Sequence, residues 1–425
     1  MNHVRLSLEA SRARNYTLVL VDSVFVGIVT VAGTFLPVFL VRLGASGTEV
    51  GLLTSAPALT AFLLAIPFGR WLQRRRNIVP WYSRLRLVAW LSYGAIGVVV
   101  AVVPREFAVP AVLMIWAAAS LPSTAGLVAF PIVMDGAAGP QGRFDLLGRR
   151  WAISGGAATI GVIVAGQALG HVAFPGNFEL LLIVCALGGV GSFLVSRQIV
   201  IADQPPVKAP DDGTPLRDRV SGFVQQVRGR GTFLEFEVRA FVFTFGIGLA
   251  TPLLPLFYVH ELRAPNEWIG IIGAAQSVGG VAGYLVARRV ARRRSGVAVL
   301  LPSIVAAAMI PAAMALLNDL PMVAGLSLIG GLAMAAAQLG LFNELMARIP
   351  REHGVTFSSV DQTVQNLGLI VAPSVGGVLA ATIGVRPGLG MAALVSLAGA
   401  GLFVLAWRRG RTVKAAAPGT MNSGA

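Results

Sequence analysis

Twelve apolar stretches, each close to the length that crosses a bilayer, dominate this chain and leave it few folds to adopt. They run over 18–40, 50–68, 87–103, 108–134, 151–169, 180–195, 240–259, 268–287, 297–317, 320–345, 355–383 and 389–407. About 20 apolar residues in a helix span some 30 Å of hydrocarbon, and inside that layer the backbone must satisfy its own hydrogen bonds. The expectation is an all-α integral membrane protein with 12 transmembrane helices. A chain that is 55% hydrophobic and 12% charged also lies outside the range of soluble domains.

The basic residues orient the spans. With both termini placed in the cytoplasm, Lys and Arg crowd the inner arms and loops, and the outer loops hold only Arg42, Arg105, Arg263 and Arg386. That asymmetry is the positive-inside bias, so the chain is expected to be a multi-pass protein of the plasma (inner) membrane. Dispersal of the charge among short loops also accounts for the net charge of +15 without nucleic acid as a partner, because such loops face an anionic leaflet. The N-terminal arm lacks the apolar core of a cleaved signal, so the first span is expected to be retained. Cys185, the single cysteine, sits in the sixth stretch; it excludes an intrachain disulfide and reads as a small core residue.

The longest connector divides the spans six and six. The expected organisation is an N-terminal six-helix bundle over 1–195, a cytoplasmic linker over 196–239, a C-terminal six-helix bundle over 240–409 and a disordered cytoplasmic tail over 410–425. Within the linker, IADQPPVKAPDDGTP resists folding, whereas Leu216, Val220, Phe223, Val224 and Val227 recur at helical spacing. They predict a short amphipathic helix, on the membrane surface or in solvent. A repeat supports the division: Pro37 and Phe39 match Pro255 and Phe257, Gly51 matches Gly270, and Arg70, Arg74 and Arg75 match Arg289, Arg293 and Arg294.

These features resemble the major facilitator superfamily of secondary transporters. The marks are a Pro late in span 1, a short outer loop, a Gly opening span 2, and the run Gly69-Arg70-Trp71-Leu72-Gln73-Arg74-Arg75-Arg76 at its inner end. Gln73 stands where that family's loop normally carries Asp. The resemblance implies two pseudo-symmetric bundles with spans 3, 6, 9 and 12 peripheral, the other spans around a central cavity, and substrate bound near the midplane. It also makes Gly69, Arg70, Arg74, Arg289 and Arg293 candidates for an inner gate, with Asp135 pairing to Arg70 or Arg74 and Glu344 to Arg289 or Arg293.

Polar side chains within the spans mark the candidate pathway, since each is costly in hydrocarbon. Asp22, about seven residues into span 1, has no Lys or Arg nearby in sequence; it reads either as a proton or substrate site or as a structural carboxyl bonded to a neighbouring helix. In span 11, Ser358, Asp361, Gln362, Gln365 and Asn366 share one helical face, as a cavity lining or as a helix start in interfacial water. Gln276, Gln338, Phe25, Trp116, Ser120 and Phe245 complete the candidate substrate and proton pathway.

Other chemistry is largely excluded. Gly44-Ala45-Ser46-Gly47 imitates an intramembrane serine-protease motif, but the four histidines lie in arms or loops, so the tetrapeptide reads as a turn and no enzyme is expected. Neither a zinc motif nor a nucleotide-binding loop occurs, so no metal and no cofactor are expected. The expected function is alternating-access transport of a small, amphipathic or uncharged solute, with efflux preferred and proton coupling open. Uptake of a small metabolite or sugar, or a transport-inactive receptor, stand as alternatives. The partners are the lipid bilayer and a small-molecule substrate, and a monomer is expected.

Overall fold

The computed structural model describes residues 2–201, 231–293, 296–348 and 354–416. The proposed amphipathic linker helix, the end of the tail and the Gln73 and Ser358 side chains lie outside what it describes. Among the described residues, twelve helices are long and apolar enough to cross a membrane: α1 (Arg12–Arg42), α2 (Gly47–Leu72), α3 (Val79–Val102), α4 (Arg105–Gly139), α5 (Asp145–Ala168), α6 (Gly176–Ser196), α7 (Gly231–Glu261), α8 (Asn266–Ala291), α9 (Gly296–Ala315), α10 (Leu320–Arg348), α11 (Val360–Ile383) and α12 (Val385–Arg408). Helical structure continues past α12 to Ala416, into the stretch read as tail.

Local chemistry sets the breaks. Ser46 caps α2 by accepting from the Glu49 amide, while the Ser46 amide donates to Glu49 Oε2 at 2.7 Å, a reciprocal capping box. Gly44, at φ 98°, supplies the left-handed turn before it, so the protease-like tetrapeptide is a connector. Spans α4 and α5 form one helical run from Arg105 to Ala168, broken at Gly139, whose φ of 72° and ψ of 171° depart from helix. Along the outside, Ile66, Val102, Met114 and Leu127 are among many large apolar side chains left exposed, the surface a lipid solvent requires.

The two halves repeat one packing scheme. Helix α3 packs on α6 as α9 does on α12, α2 on α4 as α8 on α10, and α1 on α6 as α7 on α12. Contact between the halves, besides smaller contacts of α7 to α1 and α2, is concentrated in two matched pairs, α2 with α11 and α5 with α8. Both meet at the ends distal to the termini. A Cβ on Gly51 would lie 2.6 Å from the Pro373 carbonyl oxygen of α11, and one on Gly270 would lie 2.9 Å from the Val162 oxygen of α5. The two glycines matched by the sequence repeat therefore do the same work, letting backbones touch where a side chain would hold them apart. Toward the termini, a Cβ on Gly148, Gly155 or Gly156 of α5, or on Gly280 of α8, would meet nothing within 4 Å. The close backbone contacts between the halves thus lie at the distal end, and toward the termini these glycines of α5 and α8 face open space.

Candidate functional site

A cavity of about 410 Å³ lies among α1, α7, α8, α9 and α10, so that α9, expected to be peripheral, supplies Ala307, Ile310, Pro311 and Met314 to its wall. Helix α1 contributes Thr34 and Pro37 to its wall, α7 Thr251 and Tyr258, α8 Gln276 and α10 Ser327. Most of the wall is apolar, so a few hydroxyls and one amide are left to orient a ligand. Of the residues expected on the pathway, Gln276 is the one that reaches this cavity.

The remaining candidates are scattered. Trp116 Nε1 donates to the Leu53 carbonyl oxygen at 2.9 Å, and Ser120 bonds Thr60 at 2.6 Å, both tying α4 to α2. They border a smaller space of about 120 Å³ shared with Trp90 and Tyr93. Phe25 is pressed against Gly191 of α6, and Phe245 stacks near Phe241 at 5.6 Å. Gln338 accepts from the Tyr284 hydroxyl at 2.9 Å, while Gln362 is exposed and Gln365 and Asn366 are half-buried.

Asp22 has the partner the sequence did not offer. It is 1% exposed, and Arg86 Nη2 of α3 donates to its two oxygens at 3.2 and 3.1 Å. Ser192 of α6 also donates to it, and the Arg86 guanidinium reaches the Tyr82 hydroxyl at 2.7 Å. Of the two readings of Asp22, the geometry matches the structural carboxyl bonded to neighbouring helices: it is far from any cation in sequence but not in space. It faces α3 and α6, the helices expected to be peripheral, and together these groups pin α1 to them.

Two more charged residues sit within the spans although the sequence put them in loops. Arg150 of α5 is 8% exposed, its Nε has no hydrogen-bond partner, and its guanidinium lies 4.8 Å from the Phe130 ring centre. Glu237 of α7 is 3% exposed with neither carboxyl oxygen bonded, and Asp361 of α11 is close enough to act on it electrostatically. The Gln365 side chain hydrogen-bonds Asp361. One signal was available for Arg86: Pro80, near the first residue of α3, marks a helix start well ahead of it. Phe233 and Phe236, at helical spacing with Ala240, extend the apolar face of α7 past Glu237 in the same way.

At the termini end, Arg70, Arg74, Arg289 and Arg293 are exposed, while Gly69 and Asp135 are half-buried. The expected pairing of Glu344 with Arg289 or Arg293 is not made. Glu344 is held instead by Arg348, one turn along its own helix. No ion pair between two described residues joins the halves.

No curated protein matches the chain. Residues 239–422 match the sequence model of the Major Facilitator Superfamily. Among solved structures, the nucleoside transporter NupG superposes with a TM-score of 0.74 at 12% identity, over 92% of this chain and 99% of that one. A bacterial homologue of the iron transporter ferroportin in its inward-facing state gives 0.70 at 15%, over 92% and 98%. A bacterial homologue of the human lysosomal transporter Spinster, inward-facing and unoccupied, gives 0.62 at 15%, over 94% and 97%. At such identities the likeness is one of fold, and it spans both six-helix halves, while the family's sequence signature lies in the second. The second half of the chain thus carries the sequence signature of the Major Facilitator Superfamily, and the chain as a whole shares the fold of these membrane transporters.

Proposed function

We propose that the protein is a secondary transporter that exports a small amphipathic solute from the cytoplasm by rocking its two halves about the central cavity. The observation that carries this reading is the one-ended seal: α2 meets α11 and α5 meets α8 through glycines at the distal ends, while toward the termini glycines of α5 and α8 face open space. The Lys and Arg bias supports placing the termini in the cytoplasm of a cell whose plasma membrane holds the protein. In that orientation the open space faces the compartment from which an exported solute loads. The apolar wall of the cavity supports an amphipathic cargo.

Glu237 with Asp361 is the proposed proton-coupling pair. A buried carboxyl without a donor needs a proton or a cation to offset the cost of its charge, and exchange of that proton as α7 and α11 move would tie solute movement to the gradient. Asp22, committed to Arg86, holds the bundle together instead.

The test uses proteoliposomes with a trapped pH dye and labelled solutes, offered as one pool of amphipathic compounds and one of sugars and small metabolites. Flux of the amphipathic pool with proton movement is expected, and Glu237→Gln should abolish the proton signal. Ser55 and Ser374 face each other across the distal seal, with their oxygens 3.3 Å apart. Replacing both by Cys in a Cys185→Ser background should allow oxidation to stop flux and reductant to restore it. Undiminished flux through the cross-linked protein would rule out alternating access, and a proton signal that survives in Glu237→Gln would remove the coupling role.

A further inference from the structure

We propose that the pocket enclosed by α1, α3, α4 and α5 binds the acidic group of an amphipathic anion, with Arg150 as its docking cation. This deepens the transport reading by giving the amphipathic solute a charge. The pocket has a volume of about 360 Å³, and Tyr82, Arg86, Trp90, Phe130, Arg150 and Trp151 contribute to its lining.

Its charges do not balance. Arg86 is fully employed: its guanidinium bonds Tyr82, Ser192 and Asp22 and lies 4.7 and 4.3 Å from the ring centres of Tyr82 and Trp90. Asp22 is spent on that pair. Arg150 is left over, close enough to feel the charges of Arg86 and Asp22, yet with no hydrogen bond or ion pair to any described residue and a buried, bare Nε. Asp145, the nearest acid along α5, is taken up by Tyr16 and Arg149. Two cations thus line one pocket, and the one buried anion beside it, Asp22, is already paired with Arg86.

A surplus guanidinium in such a place is a fork for a carboxylate, sulfonate or phosphate, whose paired oxygens match its donors. The rings of Trp90, Phe130 and Trp151 supply the apolar wall that the rest of such a molecule requires. Access runs past Trp151, which is 62% exposed, along the face of α5 where Gly148, Gly155 and Gly156 look onto open space. An anionic lipid headgroup presents the same chemistry, and the test separates it from a free solute.

The full chain in phosphatidylcholine nanodiscs is titrated with naphthalene-2-sulfonate, naphthalene-2-sulfonamide and 2-naphthylmethylammonium, with empty nanodiscs subtracted. The sulfonate should bind wild type at least about tenfold more tightly than either analogue, and Arg150→Gln should erase that preference. Arg150→Lys, which keeps the charge without the fork, should retain the preference at lower affinity. Equal binding of all three compounds to wild type overturns the proposal even if Arg150→Gln does not fold, and so does a preference that persists in Arg150→Gln. Loss of sulfonate binding in phosphatidylglycerol nanodiscs would support the anion site and assign it to lipid. Because binding is read without flux, failed transport with selective binding counts against the transport reading alone, and transport without charge preference counts against this inference alone.

Discussion

Replacing Asp22 by Asn should be among the most damaging single changes in the N-terminal half, and more damaging than losing both members of its ion pair. The carboxylate and Arg86 lie 3.1 Å apart at closest approach, with Asp22 1% exposed. Two unit charges about 4 Å apart attract by roughly 4 kcal/mol at an effective dielectric of about 20. Much of that attraction offsets the desolvation of the two groups, so the intact pair contributes little net stability. Removing one partner is different, because the other is left buried and charged, at a cost of about 3–5 kcal/mol. In Asp22→Asn the stranded Arg86 also shares its pocket with Arg150, which puts the loss at the upper end of that range. Asp22→Asn/Arg86→Gln removes the stranded charge, and the pair should show a coupling of about 2–3 kcal/mol. The assay is a double-mutant cycle on unfolding in mixed micelles, followed by near-UV signal and by retention of the monodisperse peak. Additive losses, or a double mutant worse than Asp22→Asn, would refute the argument that these charges exist to neutralise each other.

Gly270→Leu should prevent the distal ends from meeting, since its first side-chain carbon would lie 2.9 Å from the Val162 oxygen and 3.1 Å from the Gly166 Cα, neither of which is a flexible side chain. Thr34→Cys, in the cavity wall, should then react several-fold faster with an impermeant thiol reagent from the distal side, and unchanged labelling would defeat the seal as described. Trp116→Phe keeps an aromatic ring but loses the indole N–H and its 2.9 Å bond to Leu53, so unfolding stability should fall by at least about 0.5–1.5 kcal/mol; no change would mean the bond is replaced by another. Arg386→Met removes contacts to Glu261, Asn318 and the Ala315 and Leu317 carbonyls. Amide exchange of residues 315–319 should accelerate, and protection equal to wild type would show that the tie is dispensable.

The spans, the six-and-six division and the repeat were legible because hydropathy and small residues leave a local trace. The matched Gly51 and Gly270 illustrate this: the repeat pairs them by position, and each lies where backbones approach too closely for a side chain. Charge inside the membrane was read less well, for a reason built into the approach. A boundary drawn by hydropathy stops at the first charged residue, so Arg86, Arg150 and Glu237 were each assigned to the loop beside the span they occupy. Asp22 was found because apolar residues surround it on both sides, and it was judged alone because its partner is 64 positions away. Glu344 shows the converse, a partner sought in a distant loop when one turn of helix supplied Arg348.

The closest approaches in the seal between the halves are of bare backbone. Dispersion between such surfaces gives only about 0.1–0.2 kcal/mol per atom pair, and a gap of 0.5–1 Å already forfeits a quarter to a half of it. A joint of this kind has almost no grip at a distance: it is fully engaged or it is gone, with little to stabilise a position between. The distal ends therefore behave as a latch with two stops, whose release breaks few bonds, chiefly that from Arg42 to the Ala264 carbonyl oxygen and that between Ser55 and Ser374.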